Sequence, residues 1–383
     1  MFVQGYDARG IAEIFLEFGR QYRLTCDRRG WTGDVGVIGE TPKDFSAEWD
    51  VTTKGDGWQV ETRYRLLRWN DLVQADFMRP AWWKIVQMYR TVGIAMLNGA
   101  FMRMLRMNWR FALVTVTPIA LITIWVLLGS FIGILCMNLV TALRAPELVA
   151  KFVGIVTGFG GFGSLLWLTE PVTGLLKRCD QAASIDEFIN GKRKDWSQRL
   201  DLFAADLANT VRDSDADEVL IIGHGFGAAL AINLVGRSLS RDAALGRHGP
   251  RVALLTLAAS FPAVGFNPEA RGFRNRLRQL AEVPDLDWVD VQSRNDILSF
   301  APFDPIAGHD IVLKSGRRNP RIIEIRLRPW PIGTAHAQYL MANKRSGGTY
   351  DYYLICCGPS DLVTRLTRPP DANAAMAAKS GQS

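Results

Sequence analysis

The pattern of apolar and polar positions divides the chain into three kinds of stretch. Residues 1–80 alternate in short runs: an apolar FVQG, the turn GYDARG, an amphipathic stretch over 11–22, then period-two segments near 34–38, 47–53 and 58–65. Such alternation predicts half-buried strands, and Gly55-Asp56-Gly57 predicts a hairpin turn between the last two. The middle of the chain is different. Between Arg110 and Arg144 lie 33 residues without a formal charge, and a second uncharged run follows at 152–169 with Gly154, Gly158, Gly160, Gly161 and Gly163. A hydrocarbon core about 30 Å thick needs about 20 helical residues, so the first run predicts a span. The second predicts its return as a helical hairpin, with a re-entrant or surface-lying segment as the alternative, because glycine weakens a helix.

After this hairpin the period changes again. Residues 184–212 place Phe188, Trp196, Leu200, Phe203 and Leu207 at helical spacing. An acidic turn at 213–217 leads into EVLII (218–222), a continuous apolar run of buried-strand length. A helix over 226–239 and strands at 251–257, 287–292 and 321–327 complete an alternating pattern. That alternation predicts a largely parallel sheet with helices on both faces. The Pro/Ala/Ser-rich end, 369–383, predicts a disordered tail.

Composition narrows the class. The 383 residues carry a net charge of +7, 48% are apolar, and the mean hydropathy is +0.03. Those values exclude a disordered chain and fit a water-soluble core carrying a membrane segment. Arg90, Arg103, Arg106 and Arg110 precede the first span, and Lys177, Arg178, Lys192, Arg193 and Lys194 follow the second; the connector holds only Arg144 and Lys151. The positive-inside rule then puts both large soluble parts in the cytoplasm, on the inner face of a cell membrane. The stretch 81–109, with five methionines, Trp82, Trp83, Trp109 and spaced basic residues, suits either a helix in the headgroup layer or an ordinary packed helix. The start, MFVQGYDARG, does not read as a cleaved signal peptide. Five scattered cysteines and four histidines show no zinc-ligand spacing, so no metal or cofactor is expected, and no nucleic-acid partner either.

The candidate chemistry sits in EVLIIGHGFGAALAINLVG, where a buried strand meets a helix through Gly223-His224-Gly225-Phe226-Gly227. In a nucleophile elbow, G-x-S-x-G, strand and helix nearly collide, so the outer positions need glycine, and the strained middle residue aims its side chain at substrate. Here Gly223 and Gly227 keep the outer places and Gly225 takes the middle one. A phosphate-cradling loop is the competing reading, but the third glycine is displaced from the dinucleotide fingerprint and no acid follows at the required place. The remaining triad members are sought in the order nucleophile, acid, histidine. Asp296 lies four residues beyond the strand at 287–292, with Asp304 and Asp310 as rivals; His336 lies beyond the strand at 321–327, before a short helix at 337–343, with His309 as rival. An oxyanion hole takes one N–H from Phe226 and a second from the loop Gly5-Tyr6-Asp7.

With GYDARG, GHGFG, Asp296 in SRND and His336 in TAHAQYLMAN, the chain resembles lipase-like serine hydrolases of the α/β-hydrolase fold in bacterial membranes. The resemblance covers most of residues 1–80 and 180–365. It implies an α/β-hydrolase-like sheet interrupted by a transmembrane hairpin that holds the catalytic face near lipid. The implied organisation is 1–80 and 171–368 as the two parts of the sheet domain, 81–110 as the interfacial segment, 111–170 as the hairpin and 369–383 as the tail. It further implies ester hydrolysis without a cofactor, His336 as base and then acid, Asp296 orienting it, and a membrane lipid or acyl ester as ligand. Glycine at 225 departs from the family pattern. Loss of a triad nucleophile removes about 10⁶ in kcat, so the resemblance implies a catalytically impaired protein. The alternative is an active ester hydrolase using another nucleophile, such as Ser260. Homo-oligomerisation through the Gly-rich segment is a further expectation, and it would be needed for a pore, the weakest alternative.

Overall fold

The computed structural model describes residues 1–41, 45–247, 249–294, 296, 299–324 and 357–367. His336, the helix expected at 337–343 and the tail at 369–383 lie outside the described residues. The chain divides into two compact units, Met1–Ala75 with Phe188–Ser383, and Asp76–Glu187.

In the first unit the strands are β1 (Phe2–Val3), β2 (Thr32–Val35), β3 (Gly39–Thr41), β4 (Ser46–Gly55), β5 (Trp58–Leu67), β6 (Glu218–His224), β7 (Arg251–Leu257), β8 (Leu286–Gln292) and β9 (Arg321–Glu324). Their order is β2-β4-β5-β1-β6-β7-β8-β9, with β3 also paired to β4. The pairings from β5 through β1 to β9 are parallel, and those among β2, β3, β4 and β5 are antiparallel. The strands at 218–224, 251–257 and 286–292 are buried at nearly every position because helices cover both faces of this part of the sheet. On one face α1 (Ile11–Arg29) and α12 (Leu362–Thr367) pack with Phe2, Trp49, Leu66, Leu255 and Val291. On the other lie α8 (Lys194–Asp213), α9 (Phe226–Arg241) and α11 (Arg271–Glu282). β1 is short, yet it is central: Phe2 pairs with Leu66 on one side and Ile222 on the other.

The second unit holds the last two residues of α2 (Asn70–Phe77), then α3 (Ala81–Leu97), α4 (Ala100–Met107), α5 (Trp109–Ala142), α6 (Glu147–Thr173) and most of α7 (Leu175–Ile189). α5 and α6 are both long and apolar enough to cross a membrane. They pack as a hairpin along their glycines. A methyl group at Gly133 would meet Gly154 O at 2.5 Å and Gly158 Cα at 3.0 Å, and one at Gly129 would meet Gly158 O at 2.8 Å. The glycine stripe of α6 thus serves contact within one chain. Outward, Phe131, Leu135, Phe152, Ile155 and Phe159 are exposed.

The stretch 81–110 is packed along part of its surface and exposed along the rest. Met88 and Val92 of α3 are buried with Ile122, Leu175 and Cys179, while Trp82, Leu97, Met107 and Trp109 are exposed. A buried polar network joins α7 to the chain before α3. Arg79 contacts Asp76 at 3.0 Å, Asp180 at 3.6 Å and Glu187 at 3.2 Å, and Lys84 lies 3.6 Å from Asp180. Ser184 Oγ donates to Asp76 Oδ2 at 3.0 Å. The single helix expected over 184–212 is instead two, α7 and α8, because the chain breaks at Asn190-Gly191, where Gly191 has φ 70°.

Candidate functional site

Parallel strands deliver their carboxyl ends to one edge, so the loops after β1, β6, β7 and β8 emerge together. Hydrogen bonds knit these ends. Gly225 N donates to Leu257 O (3.0 Å), Ser260 N to Gly225 O (3.3 Å) and Ala258 N to Val291 O (3.2 Å). Beyond β8, Arg294 Nε donates to Glu324 Oε1 of β9 at 2.6 Å.

The turn between β6 and α9 is built by glycine for two separate reasons. A methyl group at Gly223 would lie 2.6 Å from Ala228 Cα and from Gly227 O, and one at Gly227 would strike Val3 O and lie 2.7 Å from Gln4 O. Neither obstacle is the end of a flexible side chain, so these two positions exclude any larger residue. At Gly225 the constraint is conformational: φ is 58° and ψ −120°. A Cβ there would meet nothing within 4 Å. The bend therefore presents its middle position to open space, in a dihedral region that is costly for residues with a side chain.

The Gly5 loop lies against this bend, since a methyl group at Gly5 would be 3.5 Å from His224 O. Trp69 Nε1 donates to Gly5 O (3.2 Å), and Asp7 N donates to the same oxygen (2.9 Å). The Asp7 carboxylate is engaged locally by Arg9, at 2.6 Å. Tyr6 sits 6.1 Å from Trp196. Phe226 turns its ring into the same aromatic group, 6.1 Å from Trp69 and 6.0 Å from Trp196. As the first residue of α9, Phe226 has no intrahelical acceptor for its N–H. His224 ends β6 with 5% exposure, so its side chain points into the protein rather than onto the surface.

Asp296 is 3% exposed, in a loop that closes on itself through Asp296 N to Ser293 O and Ser299 N to Asp296 O, both 3.2 Å. The rivals have structural partners. Asp304 Oδ1 accepts from Ile306 N (2.8 Å) and Ala307 N (3.0 Å), and Oδ2 meets Arg317. Burial opposes its ionisation, but the Arg317 guanidinium and those N–H groups outweigh burial and hold the carboxyl below its usual range. His309 is packed between Phe266 and Phe303, with Nδ1 2.7 Å from Pro305 O and Nε2 3.3 Å from Pro262 O. Asp310 caps the short 3₁₀ turn ahead of it, at φ 55°. Ser260 is half-buried at the start of α10 (Phe261–Gly265), one hydrogen bond from Gly225.

Sequence reasoning missed Asp290. This carboxylate on β8 is 1% exposed, accepts from Thr256 Oγ1 (2.5 Å) and Gln292 Nε2 (2.7 Å), and is pushed up to about 6 by burial. Its signal was an acid inside a strand buried on both faces. Among the described residues, no group of three His, Cys, Asp or Glu side chains gathers as metal ligands would. Comparison with protein-family models, curated proteins and solved structures finds no match.

Proposed function

We propose that the chain is a membrane-anchored protein of lipase or esterase type in which Gly225 occupies the nucleophile's place, so that ester hydrolysis is lost or strongly reduced while the pocket still receives a lipid or acyl-ester ligand. One observation carries this reading. At 223–227 the two outer glycines admit no Cβ, whereas the middle one holds φ 58°, ψ −120° and faces open space. A phosphate-binding loop has no need of that division of roles; an elbow that once aimed a side chain does. The Gly5 loop beside the bend and Asp296 on the same sheet edge supply the places of the oxyanion donors and the orienting acid. His336 is the proposed base, and the hairpin of α5 and α6 is the proposed anchor, with the sheet unit in the cytoplasm.

The test is Gly225→Ser in the full chain, assayed with a short-chain p-nitrophenyl ester. The expected gain over the parent is at least about 10²-fold, lost again in Gly225→Ser/His336→Ala. A folded, membrane-inserted Gly225→Ser protein without activity would overturn the elbow assignment. A second reading has its own support: Ser260, a partly exposed residue, donates its backbone N–H to Gly225 O. Labelling of the parent protein by a fluorophosphonate, abolished by Ser260→Ala, would establish an active hydrolase instead.

A further inference from the structure

Residues 77–146 contain no Asp or Glu, but seven Arg and Lys. Arg79 and Lys84 are engaged by acids from either side of this stretch, Asp76, Asp180 and Glu187. Arg90 on α3, Arg106 on α4 and Arg110 at the start of α5 are exposed. Around them the same helices expose large apolar groups: Leu97 at 90%, Trp82 at 67%, Trp109 at 58%. Arg110 lies 5.6 Å over the Trp109 ring. Such a surface is poorly suited to bulk water, which rejects its apolar half, and to hydrocarbon, which rejects its charges. It suits the headgroup layer, where indole and guanidinium are both favoured.

The length of α5 agrees. Its uncharged run of 33 residues is about 50 Å long as a helix, whereas the hydrocarbon core is about 30 Å thick and the bilayer with its headgroups about 40–45 Å. A tilted helix of that length sets Arg110 and Arg144 at the two headgroup layers.

We infer that α3, α4 and the start of α5 form a cationic collar that binds anionic phospholipid headgroups, with Arg90, Arg106 and Arg110 as phosphate contacts. The inference rests on the hairpin being a membrane anchor and adds a lipid preference to it. A soluble acidic protein would match the charges but not the exposed indoles and methionines between them.

The test reconstitutes the full chain into phosphatidylcholine vesicles doped with spin-labelled phosphatidylglycerol or spin-labelled phosphatidylcholine. The motionally restricted fraction of each label is then read by EPR. At low salt the anionic label should associate at least about threefold more strongly, and the preference should shrink in 0.5 M NaCl. The triple variant Arg90→Gln/Arg106→Gln/Arg110→Gln should lose it, while the corresponding Arg→Lys triple keeps it. Lys192→Gln/Lys194→Gln, outside the collar, should leave it unchanged. Equal association of both labels with the parent, or a preference that survives the Gln triple, would overturn the collar and leave the anchor standing. Failure of the parent to float with vesicles of either composition would overturn the anchor, and the collar with it.

Discussion

Two glycine-rich segments, 223–227 in the sheet unit and 129–161 in the hairpin, solve different problems with the same residue. In the hairpin every close contact is helix against helix, and the glycines act as a repeated stripe in which Gly129, Gly133, Gly154 and Gly158 share one job. In the sheet unit three glycines within five residues have unlike jobs: Gly223 and Gly227 clear a path for neighbouring backbone, and Gly225 supplies a left-handed φ with empty space beyond it. A stripe tolerates one imperfect member through a small shift of a helix. A bend between a strand and a helix, fixed on both sides by the sheet, does not. Composition cannot separate the two cases, because separation requires knowing what each added methyl would strike.

The comparison can be broken by alanine at each position, with thermal midpoints measured on the detergent-solubilised full chain. The largest effect is expected at Gly227→Ala and Gly223→Ala, where backbone must move: a loss of more than about 4 kcal/mol, or no folded protein. Gly133→Ala and Gly154→Ala should cost about 1–3 kcal/mol, borne by the hairpin, as overpacking does in a tight core. Equal losses at all four positions would refute the distinction.

Asp290 sharpens it by marking the sheet unit. Its folded-state pKa of about 6 lies above the ordinary carboxylate value, so between pH 4 and 6 the folded protein binds a proton that the unfolded chain has released. The stability this gives is complete below pH 4 and fades as pH rises through 6, by on the order of 2–3 kcal/mol at most. Asp290→Asn should flatten that slope. The transition whose midpoint responds should be the one shifted by Gly227→Ala, not the one shifted by Gly133→Ala. Among the three glycines of the bend the smallest effect is expected at Gly225→Ala, about 1–3 kcal/mol from φ strain alone, since no atom obstructs the new methyl.

The strand at 218–224 was legible because burial on both faces writes a continuous apolar run at 218–222, and those at 251–257 and 286–292 because apolar residues dominate each short segment between turns. The crowding of strand and helix at Gly223 and Gly227 was legible for a similarly local reason, and strand order put Asp296 in the loop after β8. What escaped was non-local or hidden in a pair of residues. β1 is two residues long and owes its central place to Leu66 and Ile222, far along the chain. The helix breaks at Asn98-Gly99 and Asn190-Gly191, with φ 78° and 70° at the glycines, were present as turn dipeptides that the surrounding helical period masked. The ion network of Asp76, Arg79 and Lys84 with Asp180 and Glu187 joins helices a hundred residues apart, and only the spacing of 180, 184 and 187 on one helix face hints at it.

The position of β1 also bears on biosynthesis. Its neighbour β5 follows soon after it, but its other neighbour, β6, lies beyond the hairpin, at Ile222 and Gly223. At about 5–20 residues per second, a ribosome takes roughly 10–40 s to travel from one to the other. Throughout that interval a nascent half-sheet has an open edge, while the greasy segments emerge behind it. On the proposed anchoring, early capture of those segments by an insertion machinery would hold the growing chain at the bilayer until the missing strand arrives.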